Sequence, residues 1–383
     1  MIVRAEPRLR ERFAHLDDCT YLISHSMGAP PLAARDELLA FWEAWSKEGP
    51  TAWERWLPQI DEIADGIGAI IGAPAGTVGL APNVSMLQET LASSLDWNGD
   101  RNGIVYEQLQ FPSLQYVWDA WRRRGARPVR VPTDDGRTIP TGRIVAAIDE
   151  RTRVVLLSHA YFQSGALVDV ATIARRAHEA GALLVVDIYQ TAGVLPIDVV
   201  ALDIDVAVGG SHKWLCGGPA CGYIYVRENR REQFEPTATG WMAHAAPFAF
   251  EPPPMRYASG MTRFANGTPP MQAYLCARAG HRLIREAGVE AIRAHNLALT
   301  EMILAEADAR GIRTPTPREP SKRTGWIGLD VTDGARIVHE LQARRIFVDY
   351  RQGCGIRVGP HFYTSTEDIM TFFAALDRLQ GLR

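Results

Sequence analysis

Short, wholly apolar runs alternate with helix-period segments through the middle of the chain. Residues 154–157 (VVLL) form one run. Residues 170–180 (VATIARRAHEA) carry apolar positions at helical spacing until Gly181 stops them, and 183–186 (LLVV) form a second run that ends at Asp187. Run, helix, run predicts a βαβ unit, and therefore a parallel sheet covered by helices. Further strands are predicted at 206–208 (VAV) and at 222–226 (GYIYV), the second able to pair with the first after a tight Gly-Pro stretch. A helix over 31–47 opens this part of the chain. Beyond the Pro-rich crossing at 252–257 a helix is predicted over 271–286. The pattern then restarts with helix 289–310, strand 326–331, helix 334–344, strand 355–358 and helix 367–379, which predicts a smaller α+β unit.

The chain has 383 residues, more than one compact core usually holds. The expected division is an N-terminal segment (1–30) packing on the small domain, a large domain (31–270) and the small domain (271–383). Hydrophobic residues make up 46%, enough for a large core, and with 22% charged residues a wholly disordered chain is excluded. The net charge of −3 offers no basic field, so nucleic acid is not expected as a main partner. No apolar run approaches the roughly 20 residues of a membrane span, and the charged start lacks a secretory apolar segment. The five cysteines are odd in number and scattered, which reads as cytosolic thiols and a cytoplasmic location. Cys216 and Cys221 lack zinc-site spacing, so no metal is expected. Neither a dinucleotide fingerprint nor a P-loop occurs where a strand meets a helix.

Four segments carry candidate chemistry. Within 208–226 (VGGSHKWLCGGPACGYIYV), Lys213 sits just past a buried strand among glycines that let the backbone approach a bound group. Taken alone it would be a solvated loop lysine or a buried one; burial lowers a lysine's pKa, and an uncharged amine attacks aldehydes. Asp187 stands at the carboxyl end of an apolar strand, where open α/β sheets bind ligands. There it would either cap the following segment or hold a pyridine nitrogen protonated and so make the ring an electron sink. Asn83-Val84-Ser85 opens a helical stretch (MLQETLASSL) as an N-cap or as an anion site. Phe111, fixed before Pro112 and Ser113, would pack in the core or stack on a planar ring.

In order and spacing these segments resemble the pyridoxal-phosphate enzymes of the class V aminotransferase group, and the kynureninases within it most closely. The resemblance runs from Tyr21 to the last helix. It begins at Ser24-His25-Ser26-Met27-Gly28 and takes in the segments at Asn83, Phe111 and Asp187-Ile188-Tyr189-Gln190-Thr191-Ala192-Gly193. It continues through Ser211-His212-Lys213, Gly240-Trp241, residues 264–270 (FANGTPP) and Gly355-Ile356-Arg357-Val358-Gly359-Pro360. It implies a fold-type I transferase, with a mostly parallel seven-stranded sheet in the large domain. It also implies pyridoxal 5′-phosphate as cofactor, with Lys213 forming the Schiff base, Asp187 pairing with the pyridine nitrogen, Phe111 stacking on the ring and Val84-Ser85 holding the phosphate. Trp241 and Thr268 match positions that reach the phosphate from the neighbouring subunit, which implies a homodimer with shared active sites. Arg357 would clamp the carboxylate of a small amino-acid substrate bidentately; read without the family it would form a salt bridge.

The sequence departs from the kynureninase pattern at three places. Gln190 stands where those enzymes have histidine; it can hydrogen-bond the cofactor's phenolic oxygen but cannot titrate. His212 replaces a tyrosine and can donate to phosphate or act as acid or base. Leu114 removes a carboxylate. The expected activity is therefore kynureninase-like hydrolysis or elimination at a β or γ carbon, with transamination as the alternative. Desulfuration, for which Cys354 would be the thiol, and a non-catalytic descendant are the remaining readings. Phe41 and Trp42, Trp45, Trp53 and Trp56 either pack the first helix and dimer interface or wall the substrate pocket. Each of His25, His159, His244 and His361 could face the substrate, but a satisfied structural histidine is the expected reading.

Overall fold

The computed structural model describes residues 7–381; residues 1–6, the first part of the charged start of the chain, and 382–383 lie outside the described residues. Helix α1 (Pro7–Arg10) and strand β1 (Thr20–Tyr21) lead into two long helices, α2 (Leu32–Glu48) and α3 (Ala52–Ile71). Then follow β2 (Val78–Ala81), α4 (Val84–Ser93), β3 (Gly103–Glu107), α5 (Pro112–Ala120), β4 (Arg127–Val131), α6 (Thr141–Ala146), β5 (Thr152–Ser158) and α7 (Val170–Glu179). Strands β6 (Leu183–Asp187), β7 (Val206–Gly210) and β8 (Gly222–Val226) complete the large sheet, before α8 (Met271–Ala287) and α9 (Val289–Ala309). The chain closes with β9 (Ile327–Leu329), α10 (Gly334–Ala343), β10 (Ile346–Phe347), β11 (Asp349–Arg351), β12 (Gly355–Val358) and α11 (Thr366–Gln380).

The seven-stranded sheet has the order β2-β8-β7-β6-β5-β3-β4, parallel throughout except for β8, which runs against both β2 and β7. Every residue of β3, β6, β7 and β8 is buried, as apolar runs covered on both faces require. Gly181 follows α7 with φ of 69°, a left-handed conformation that glycine adopts without strain. From β3 the chain goes out to β4, then returns past β3 to β5, β6 and β7. The strand order therefore reverses between β3 and β5, and the crevice at the carboxyl ends there is where such sheets bind ligands.

The smaller sheet, β11-β12-β9, is antiparallel, and α9, α10 and α11 share a core with it that includes Leu299, Ile327, Leu341, Ile356 and Phe372. Strand β1 pairs in parallel with β10, Thr20 opposite Ile346. Helix α8 packs instead with α2 and α3 around Trp56, Ile63, Met271 and Tyr274. The first residues of α9, Val289 and Ile292, still belong to the large core, and from Leu299 on α9 joins the core of the small unit together with Leu22. Among the described residues no helix is long and apolar enough to cross a membrane.

Candidate functional site

Four strands of the large sheet end at one cavity of about 220 Å³. Strand β3 and the turn after it deliver Phe111, Ser113 and Leu114, and β5 delivers Ser158, Ala160 and Phe162. Strand β6 contributes Asp187, Tyr189 and Gln190; β7 contributes His212 and Lys213; the start of α4 contributes Asn83, Val84 and Ser85. Seven of the ten residues singled out from the sequence therefore share one space. Trp241, Thr268 and Arg357 are not among the residues that line it.

Asp187 is buried at the last position of β6, level with Ser158 of β5 and Val208 of β7. It accepts a 2.8 Å hydrogen bond from the Tyr189 backbone N–H. Burial raises its carboxyl to about 6, against the opposing pulls of that N–H and of Lys213. The Lys213 amine lies 4.3 Å from the Tyr189 ring centroid and 5.6 Å from that of Phe111. Burial lowers it to about 8, with Asp187 acting the other way. The loop that carries Lys213 is closed from behind by the Ser24–Gly28 segment, where Gly28 N–H donates to the His212 carbonyl at 2.8 Å. A Cβ on Gly28 would overlap the Lys213 carbonyl oxygen, so only glycine allows this approach.

Asn83 caps α4, its side-chain oxygen accepting from Met86 N–H at 3.0 Å. The amides of Val84 and Ser85 and the Ser85 hydroxyl have no protein acceptor among the described residues. Two free amides and a hydroxyl at a helix start make an anion-binding cradle. Phe111 is the residue before Pro112, which begins α5; its ring meets Phe162 edge-on at 5.2 Å and is 42% exposed, so one face stays open. A planar cationic heterocycle bearing a phosphate fits this donor set: an anion cradle, an aromatic face, and a carboxylate with one hydrogen bond.

Arg357 does not stand free as a clamp. Its Nε donates to Asp349 at 2.8 Å, its Nη2 donates to the same carboxylate, and its Nη1 donates to the Phe162 carbonyl at 2.9 Å. Three of a guanidinium's five donors are thus engaged and two remain. Buried His25 also reaches Asp349, at 3.0 Å from Nε2. Burial alone would raise the Asp349 carboxyl, but His25 and Arg357 hold it far below the usual carboxylate range. Gln190 donates from Nε2 to the His25 carbonyl at 3.3 Å.

Sequence reasoning missed Tyr189, Phe162, Asp349 and Glu107. Glu107 ends the otherwise apolar β3 as Asp187 ends β6, and that shared position was a usable signal. It accepts from Ser158 N–H at 2.7 Å and from the Tyr161 hydroxyl at 2.8 Å, and burial raises its carboxyl to about 8. The tryptophans of α2 and α3 do not wall this cavity: Trp56 stacks on Phe41 at 4.7 Å, while Trp42 and Trp45 face outward. Cys354 is buried and its thiol is pushed up to about 12. Trp241 groups with Phe248 and Phe250 on the surface, and Thr268 lines a separate apolar hollow with Met242 and Phe248.

The family model for Aminotransferase class-V matches residues 52–372. The kynureninase of Burkholderia pseudomallei (strain K96243) is 29% identical over 94% of this chain and 89% of its own length. That of Pseudomonas fluorescens is 28% identical over the same shares. Among solved structures, the apo cysteine desulfurase of Thermococcus onnurineus NA1 superposes with a TM-score of 0.85 at 20% identity, covering 98% of each chain. The cystine C–S lyase C-DES, solved with cysteine persulfide, gives 0.86 at 22% identity over 95% of this chain and 98% of that one. At such identities these two structures establish the fold.

Proposed function

Because the chain belongs to the class V aminotransferase family, with pyridoxal 5′-phosphate as cofactor, we propose that it is a kynureninase-like enzyme that cleaves a C–C or C–X bond of an α-amino acid by hydrolysis or elimination. The observation that carries this reading is the enclosed Lys213 amine facing the same cavity as buried Asp187, beside the free amides of α4. When bound, pyridoxal phosphate supplies an electron sink for a carbanion at the α carbon of an amino acid.

The residues then divide the remaining work. Val84, Ser85 and His212 would hold the phosphate, Phe111 the ring face, and Asp187 the ring nitrogen in its protonated form. Lys213 would anchor the aldehyde and, once released, carry the proton to and from the substrate's α carbon. Gln190 would bond the phenolic oxygen. The two remaining Arg357 donors would receive the substrate carboxylate, with Asp349 fixing the guanidinium plane. Trp241 and Thr268 would complete the phosphate site of a second copy, making the enzyme a homodimer. The five free thiols support a cytoplasmic setting. A buried, protonated Cys354 weighs against desulfuration, which needs a thiolate.

The test is a screen of amino acids against the purified holoenzyme. Borohydride should fix the cofactor to Lys213, as read by peptide mass. Turnover should release a small amino acid, or a keto acid with ammonia, while the cofactor stays in its aldehyde form. Accumulation of pyridoxamine phosphate would establish transamination instead, and sulfide release would establish desulfuration.

A further inference from the structure

Tyr189 touches the site in three ways at once. Its backbone N–H donates to Asp187, its ring lies under the Lys213 amine, and its hydroxyl sits 3.0 Å from His212 Nδ1 with the two rings 5.2 Å apart. The hydroxyl occupies the slot that a side chain at 210 would fill; a Cβ on Gly210 would overlap it. We infer that Tyr189 is a positioning residue for His212: its O–H donates to Nδ1, fixes the imidazole as the Nε2–H tautomer, and so presents a neutral N–H donor to the cofactor's phosphate.

The direction of that hydrogen bond follows from counting partners. A phenol has one hydrogen, and the only side chain bonded to the Tyr189 hydroxyl among the described residues is His212. If Nδ1–H donated instead, the phenolic hydrogen would have no protein acceptor among the described residues, which is the costlier arrangement. Burial and the nearby Lys213 charge lower the imidazole to about 4, and burial raises the phenol well above its ordinary value. Near neutral pH both groups are therefore uncharged, and the phenol keeps the proton it donates. With Nδ1 taken, Nε2 has no protein partner among the described residues, and His212 shares the cavity with Asn83, Val84 and Ser85. An N–H there attracts a phosphate oxygen, whereas a lone pair would repel it.

The inference rests on pyridoxal phosphate being the occupant of this cavity, so its test has one arm free of cofactor. In apoprotein labelled with ¹⁵N-histidine, the His212 signal, assigned with His212→Gln, should show the Nε2–H tautomer. Tyr189→Phe, which keeps the ring under Lys213, should convert it to a mixture or to Nδ1–H. An Nδ1–H wild type, or a spectrum unchanged in the variant, overturns the inference. In the second arm, Tyr189→Phe should weaken binding of pyridoxal phosphate to the apoprotein roughly 3- to 10-fold and leave binding of pyridoxal, which lacks the phosphate, unchanged. Equal loss for both ligands, or none, overturns the phosphate role. Failure of wild-type apoprotein to take up pyridoxal phosphate overturns the cofactor reading and the phosphate role with it, while the tautomer spectra still decide what Tyr189 does to His212.

Discussion

A half-buried amine and a buried carboxylate on one cavity set each other's protonation. Burial drives Lys213 down and Asp187 up, each moderating the other. The sign for Lys213 is plain: its pKa is depressed to about 8, so the nucleophilic, neutral amine accumulates as pH rises through about 8. The rate at which apoprotein captures pyridoxal phosphate should rise over that range and level off above it, as followed by absorbance in a stopped-flow instrument. In Asp187→Asn the charge that holds Lys213 up is gone, so the midpoint should move to lower pH. The same change should cut turnover by roughly 100-fold or more, since a charge-stabilising group has been removed. A midpoint that moves upward would contradict this placement of the two groups. At this scale the sequence was informative wherever a residue type is unusual for its surroundings, as with a lysine among glycines or an aspartate ending an apolar strand. It gave no warning of Asp349. Whether Arg357 faces solvent, substrate or a neighbouring carboxylate depends on which residues fold against it, and spacing along β12 carries no such information.

Helix α4 is the element on which the anion site depends. Its start has one capped amide and two free ones, so the cap orders the helix without using up the donors a ligand needs. Asn83→Ala should lower stability by about 1 kcal/mol, read from denaturant melts of the apoprotein. It should also weaken pyridoxal phosphate more than pyridoxal, because the frayed turn no longer aims the Val84 and Ser85 amides. Elements were read most accurately from the sequence where period and length were unambiguous: 222–226 and 355–358 match β8 and β12, and 289–310 lies within one residue of α9. Helix α3 was not anticipated. It runs on through Pro58, which lies on its exposed side, while Trp56, Ile63, Ile67 and Ile71 bury the opposite face. Packing of that apolar face outweighs the hydrogen bond the proline removes.

At the scale of the whole molecule, the reversal of strand order between β3 and β5 opens the crevice, and the carboxyl ends of four strands furnish it. Trp241, Thr268 and the hollow around Met242 and Phe248 lie apart from that crevice within one chain. A homodimer with shared sites makes a specific demand. Lys213→Ala and Thr268→Ala chains, each impaired alone, should regain activity when unfolded together and refolded, because the hybrid carries one site with both groups intact. Sedimentation should show a dimer, and no recovery from a mixture that is dimeric would place Thr268 outside the site. The βαβ unit over 154–187, the strands at 206–208 and 222–226, the carboxylate at the end of one strand and the lysine beyond the next were legible in the sequence, because burial on two faces and helical period leave direct marks on residue type. Tertiary structure alone decided which of these groups meet, that Arg357 is already held by Asp349, and that a tyrosine stands behind His212. Those outcomes depend on distances between residues far apart in the chain, and local pattern does not encode such distances.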